Sequence, residues 1–171
     1  MAESVLRLYA WIEQLSFSTW LRETGSLWGF PMFLYLHTLG MSIVAGGAAV
    51  ISIAVLGLWP KKVPIRPLER FYPVVWFGFA IELVTGIGMF MKDATTYGRN
   101  PDFYWKLVFM FAGVAILVLM RRRVFRNPQL DAGPVPRQAK MLAAASLLCW
   151  FATIVTGRLI AYLNPIPDFF G

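Results

Sequence analysis

Between Thr24 and Pro60 the chain carries no charged side chain. At about 1.5 Å per helical residue, that run is longer than the ~30 Å hydrocarbon core of a bilayer. A segment of this kind has few places to go other than through a membrane, and it constrains everything around it. Composition agrees: charged residues make up 15% of the chain, where soluble domains carry roughly 25%. Four apolar runs can be counted, at about 28–59, 72–91, 103–120 and 141–163. The expected fold is an all-α membrane protein, a four-transmembrane-helix bundle forming a single membrane domain over 1–171.

The stretch Val5 to Leu21 has another character. Val5, Leu8, Tyr9, Ile12, Leu15 and Phe17 alternate with Arg7, Glu13 and Gln14 at helical spacing. That pattern predicts an amphipathic helix too polar to cross, with Trp11 and Trp20 suited to the headgroup level. It reads as an interfacial anchor or a partner-binding arm. Lacking a basic start and a continuous apolar core, it does not read as a signal peptide. Residues 92–102 read as a polar loop.

The net charge of +7 does not point to nucleic acid, because the cations lie in the connections between apolar runs. The connections after the first and third runs hold ten of the sixteen Lys and Arg residues, which by the positive-inside rule puts them in the cytoplasm. Both termini and the second connection then face the opposite side, expected to be a periplasm. Cys149 is the only cysteine, so neither an internal disulfide nor a thiolate cluster can form within one chain. Mid-helix, it reads as a small packing residue.

Chemistry concentrates on the few polar groups inside the apolar runs. His37 is the only histidine and lies ~9 Å inside Pro31 along a helix. Arg158 lies ~10 Å before Pro165, Lys106 opens the third run, and Glu82 stands nearer the midplane. A charge at the bilayer centre costs ~2.5–3.5 kcal/mol even on the mild insertion scale, so such groups face the protein interior and pair. One reading is structural: a Glu82–Arg158 ion pair and a hydrogen-bonded packing histidine. The other is a site in the outer half of the bundle that binds haem b or a quinone. There His37 would be axial ligand or hydrogen-bond partner, Arg158 and Lys106 would meet anionic groups, and Glu82 would be paired carboxylate or proton carrier.

Small residues lie nearby: Gly40, Ser42, Ala45, Gly46 and Ala49 in the first run, and Thr85-Gly86-Ile87-Gly88 in the second. Thr153, Thr156 and Gly157 add to them in the fourth. They suit close helix packing or a flat ring equally. Met32 and Met41 around His37, with Met89 and Met91, would suit Cu(I), with His37 as a metal ligand.

Three motifs carry a resemblance. They are Leu36-His37-Thr38-Leu39-Gly40, Thr85-Gly86-Ile87-Gly88, and Phe103-Tyr104-Trp105-Lys106-Leu107 at the start of the third run. Together with Gly157-Arg158-Leu159-Ile160-Ala161-Tyr162, they make the chain resemble an uncharacterised four-helix family of bacterial inner-membrane proteins. More distantly it is similar to the copper-resistance D membrane proteins and the haem-binding membrane protoporphyrinogen oxidase. The resemblance to that oxidase implies haem b or porphyrin chemistry at His37 and Lys106. The chain departs from it in having Ala54-Val55-Leu56-Gly57 where an Arg is expected, and in offering no second imidazole. The function expected is a small component of a membrane electron-transfer system. The alternatives are a non-catalytic anchor of a larger complex, joined to other membrane or periplasmic subunits or to copies of itself, and a copper-handling protein.

Overall fold

The computed structural model describes residues 2–58, 60, 64–127 and 133–163. The expected Trp59-Pro60-Lys61-Lys62 stop, Asp131 and the closing Asn164-Pro165-Ile166-Pro167 lie wholly or partly outside them. The described residues form helices without strands. In chain order these are α1 (Ala2–Glu13), α2 (Ser16–Glu23), α3 (Phe30–Leu56), a 3₁₀ turn (Arg66–Phe71) and α4 (Tyr72–Lys92). Then come α5 (Ala94–Arg99), α6 (Pro101–Met120), a π-helical turn (Arg121–Phe125) and α7 (Arg137–Leu163). Four segments are long and apolar enough to cross a membrane: Phe30–Leu56, Arg66–Lys92, Pro101–Phe125 and Arg137–Tyr162. The protein is therefore an all-α, four-span membrane protein.

The chain divides into two compact units, Met1–Val44 with Trp76–Asn100, and Ala45–Val75 with Pro101–Gly171. In the first unit the amphipathic stretch is two helices rather than one. The chain breaks at Gln14 and Leu15, and the Ser18 hydroxyl donates across the break to the Ile12 carbonyl at 2.8 Å. Val5, Leu8 and Trp11, spaced three apart, face outward. Tyr9 lies on another face of α1, where its ring packs against Gly98 and edge-on to Phe90 at 5.8 Å between centroids.

Residues 94–99 are helical where the sequence predicts only a polar loop. Ala-Thr-Thr-Tyr-Gly-Arg is weak helix-forming material, so the cause is tertiary. The Glu13 carboxylate accepts the Thr95 N–H at 2.6 Å, satisfying one of the orphan donors at the start of α5. Arg22 adds a second brace, donating to the Lys92 carbonyl and to the Glu13 carbonyl, each at 3.2 Å. Burial, and then the nearby Asp93 carboxylate, push the Tyr97 phenol above its ordinary pKa.

In the second unit α6 packs along α7. The Trp150 indole lies over Gly113, where an added Cβ would stand 3.0–3.3 Å from the ring. Helix α6 does not stop at Met120 but widens into the π turn. Phe125, 1% exposed, meets the Tyr72 ring edge-on at 5.6 Å. Arg121 reaches the Glu69 carboxylate at 3.3 Å. Burying Val124 and Phe125 while Arg122 and Arg123 remain exposed gives this turn its shape.

Glu13→Ala removes the acceptor that starts α5. A charge-assisted hydrogen bond contributes about 1.5–3 kcal/mol, so amide exchange over residues 94–99 and in α1 should quicken by roughly tenfold or more. Exchange in the four spans should stay as it is; unchanged exchange in α5 would show that Glu13 does not hold it.

Candidate functional site

The site begins with the approach of α3 to α4 in the first unit. A Cβ added at Gly40 would lie 2.8 Å from both the Glu82 nitrogen and the Gly78 oxygen. Backbone therefore meets backbone, and no larger residue fits there. From this point the two antiparallel helices keep register outward. His37 faces Glu82 and Thr85, Phe33 covers Gly88, and Phe30 lies under the Lys92 ammonium at 4.4 Å. His37 thus sits one turn from the closest approach, with 9% of its surface exposed.

Nδ1 ties its ring to α4. Nδ1 lies 3.1 Å from the Glu82 peptide oxygen and 3.1 Å from the Thr85 hydroxyl oxygen. A carbonyl can only accept, so Nδ1 carries the proton. Thr85 agrees: its own hydroxyl donates to the Ile81 carbonyl at 2.6 Å, leaving the oxygen lone pairs to accept from His37. In the neutral imidazole, Nε2 then bears the lone pair. An Nδ1–H given to a backbone carbonyl is the arrangement that orients histidines for ligation through Nε2.

Glycines complete the fit. A Cβ at Gly86 would stand 3.2 Å from His37 Cε1, and one at Gly88 2.6 Å from the Phe33 ring. The Thr-Gly-x-Gly turn is therefore filled by this chain's own rings and is not a flat face left for a cofactor. In α3 only part of the small-residue stretch is at close range. Gly40 meets α4, whereas Gly46 has nothing within 4 Å, and Ser42 is exposed, donating to the Thr38 carbonyl at 2.8 Å.

Of the residues the sequence singles out, His37 and Glu82 come together in the first unit, through the peptide carbonyl of Glu82. The Glu82 side chain itself is buried, 1% exposed. Lys106 and Arg158 belong to the second unit, Lys106 half-buried on α6 and Arg158 exposed on α7. Sequence reasoning missed Lys92, which is 4% exposed and paired with Asp93 at 2.7 Å. Nothing in a Lys-Asp pair at the end of an apolar run marks the lysine as buried. Among the described residues no three His, Cys, Asp or Glu side chains gather as a metal site.

Residues 8–163 match the DUF6644 family, described as a family of unknown function. The chain belongs to that family. No curated protein and no solved structure matches it. The DUF6644 match covers both units and every spanning helix, so the His37 contact and the α6–α7 pair both lie inside the family's extent.

Gly40→Ala should cost about 1–3 kcal/mol, the usual range for overpacking a close contact, and lower the thermal midpoint in detergent. Gly46→Ala, with open space around it, should change stability by less than about 0.5 kcal/mol. Equal effects of the two would contradict the close approach at Gly40.

Proposed function

We propose that the protein is a small component of a membrane electron-transfer system that binds haem b or a quinol at His37, in the outer half of the membrane. The observation that supports this is the Nδ1 contact of His37 with the Glu82 carbonyl and the Thr85 hydroxyl, which selects the tautomer whose Nε2 carries the ring's lone pair. Haem ligation through Nε2 needs one imidazole and one orienting hydrogen bond, and His37 has both. A quinol hydroxyl could donate to the same nitrogen, whereas a quinone carbonyl could not use it. A bound haem or quinol would supply the redox chemistry. The chain's own part is to hold the imidazole in one tautomer and to exclude water around it with Phe33 and the α3–α4 contact.

The proposal rests on His37, Thr85 and the Glu82 carbonyl. The roles read from the sequence for Lys106 and Arg158, and the proton-carrier role for the Glu82 carboxylate, stay outside it. The Leu36-His37-Thr38-Leu39-Gly40 motif, which resembles the His-bearing helix of the haem-binding membrane protoporphyrinogen oxidase, points the same way. The copper reading, in which the thioethers of Met32, Met41, Met89 and Met91 would join His37, stays the second alternative. Charge distribution supports an inner-membrane location with the basic connections in the cytoplasm and both termini in the periplasm.

Protein purified from its native membranes should show a Soret band or carry extractable quinol. His37→Ala should abolish either, and Thr85→Val should reduce it while the protein remains folded. Unchanged cofactor content in His37→Ala would contradict the reading and favour a non-catalytic anchor of a larger complex.

A further inference from the structure

The second unit carries a dense basic face where its helices end. Two of its arginines act as braces. Arg66 on the 3₁₀ turn donates to the Asn127 carbonyl at 2.7 Å, and Arg121 on the π turn donates to Glu69 at 3.3 Å. These contacts tie together segments 61 and 52 residues apart in sequence. Around the braces Arg70, Arg122, Arg123, Arg126, Arg137 and Lys140 are exposed. Lys140 places its ammonium near the C-terminal end of α3, 3.9 Å from the position of a Cβ at Gly57, where the negative end of the helix dipole favours a cation. Among the described residues of this face the only acid is Glu69, and Arg121 engages it.

Three features select the ligand. The cations stand where the apolar segments end: Arg121 directly follows fully buried Met120, Arg137 opens α7, and Arg66 opens the second span. That is the level of lipid phosphates. Among the described residues these cations are arginine except for Lys140, and guanidinium matches phosphate with paired N–H donors. The arginines at the end of α6 are presented by a π turn, a rare local structure that is frequent at functional sites.

We propose that this face is a binding site for anionic phospholipid headgroups of the adjoining leaflet, with Arg122, Arg123 and Arg126 as its centre. Negatively charged phosphodiesters are held against the π turn, and the Arg66 and Arg121 braces keep the 3₁₀ turn beside it. The site is separate from His37 and does not depend on any cofactor there.

The test uses the full chain reconstituted in phosphatidylcholine bilayers containing spin-labelled phosphatidylglycerol or spin-labelled phosphatidylcholine. The anionic probe should associate preferentially, and the triple variant Arg122→Gln, Arg123→Gln, Arg126→Gln should lower that preference about fivefold or more, given roughly fivefold per surface cation. Arg7→Gln, on exposed α1, should leave it unchanged. If the triple variant fails to fold, the wild-type protein still decides the matter, because the preference should collapse between about 0.05 and 0.5 M salt as the screening length shortens. Equal association of both probes, a salt-independent preference, or an equal loss in Arg7→Gln would overturn the proposal. So would tight binding of polyglutamate to the detergent-solubilised protein with no lipid preference, which marks a face for an acidic protein.

Discussion

The first unit depends on the contact of α3 with α4 at Gly40. In a bilayer, helices gain no hydrophobic drive by meeting each other, so association rests on close packing and on hydrogen bonds between helices. Gly40 supplies the first by letting backbone touch backbone. One turn outward, His37 supplies the second by donating to a peptide oxygen of α4. The two act together, because an imidazole can reach a neighbouring helix's carbonyl only where the helices are already close. Gly86, small enough to let the ring edge pass, completes the arrangement.

Polar contacts in this unit change character along the helices. At His37 they include hydrogen bonds to a carbonyl and a hydroxyl. Where α3 begins and α4 ends they involve charges: Lys92 with Asp93 and over the Phe30 ring, Arg22 on the Lys92 carbonyl, and Glu13 on the Thr95 amide. Charged groups cost least where water and headgroups are near. The arm formed by α1 and α2 is thus tied to the end of α4 and to α5 by directional bonds, while Val5, Leu8 and Trp11 remain free to meet a lipid interface.

The four spans were legible because hydropathy over about twenty residues reports the solvent directly. Their ends moved by a few residues: α7 starts at Arg137 rather than 141, and α6 runs on into the π turn to bury Phe125 on Tyr72. Helix α5 was not legible, since the carboxylate that starts it comes from Glu13, far away in the chain. His37 stood out as the only imidazole, yet the sequence pointed to the side chains of Arg158, Lys106 and Glu82 as its company. The structure gives it the Glu82 peptide oxygen and the Thr85 hydroxyl, and backbone partners leave no trace in composition. The glycines of the Thr-Gly-x-Gly turn were visible, but not that His37 and Phe33 fill the space they leave.

Because the chain contains a single histidine, nitrogen-15 labelling of histidine reports on His37 alone. The imidazole spectrum of the protein in lipid at neutral pH should show Nδ1 as the protonated nitrogen and Nε2 either with a free lone pair or bound to a metal. A ring protonated at Nε2, or at both nitrogens, would contradict the donation from Nδ1 to α4 and the use of Nε2 that follows from it.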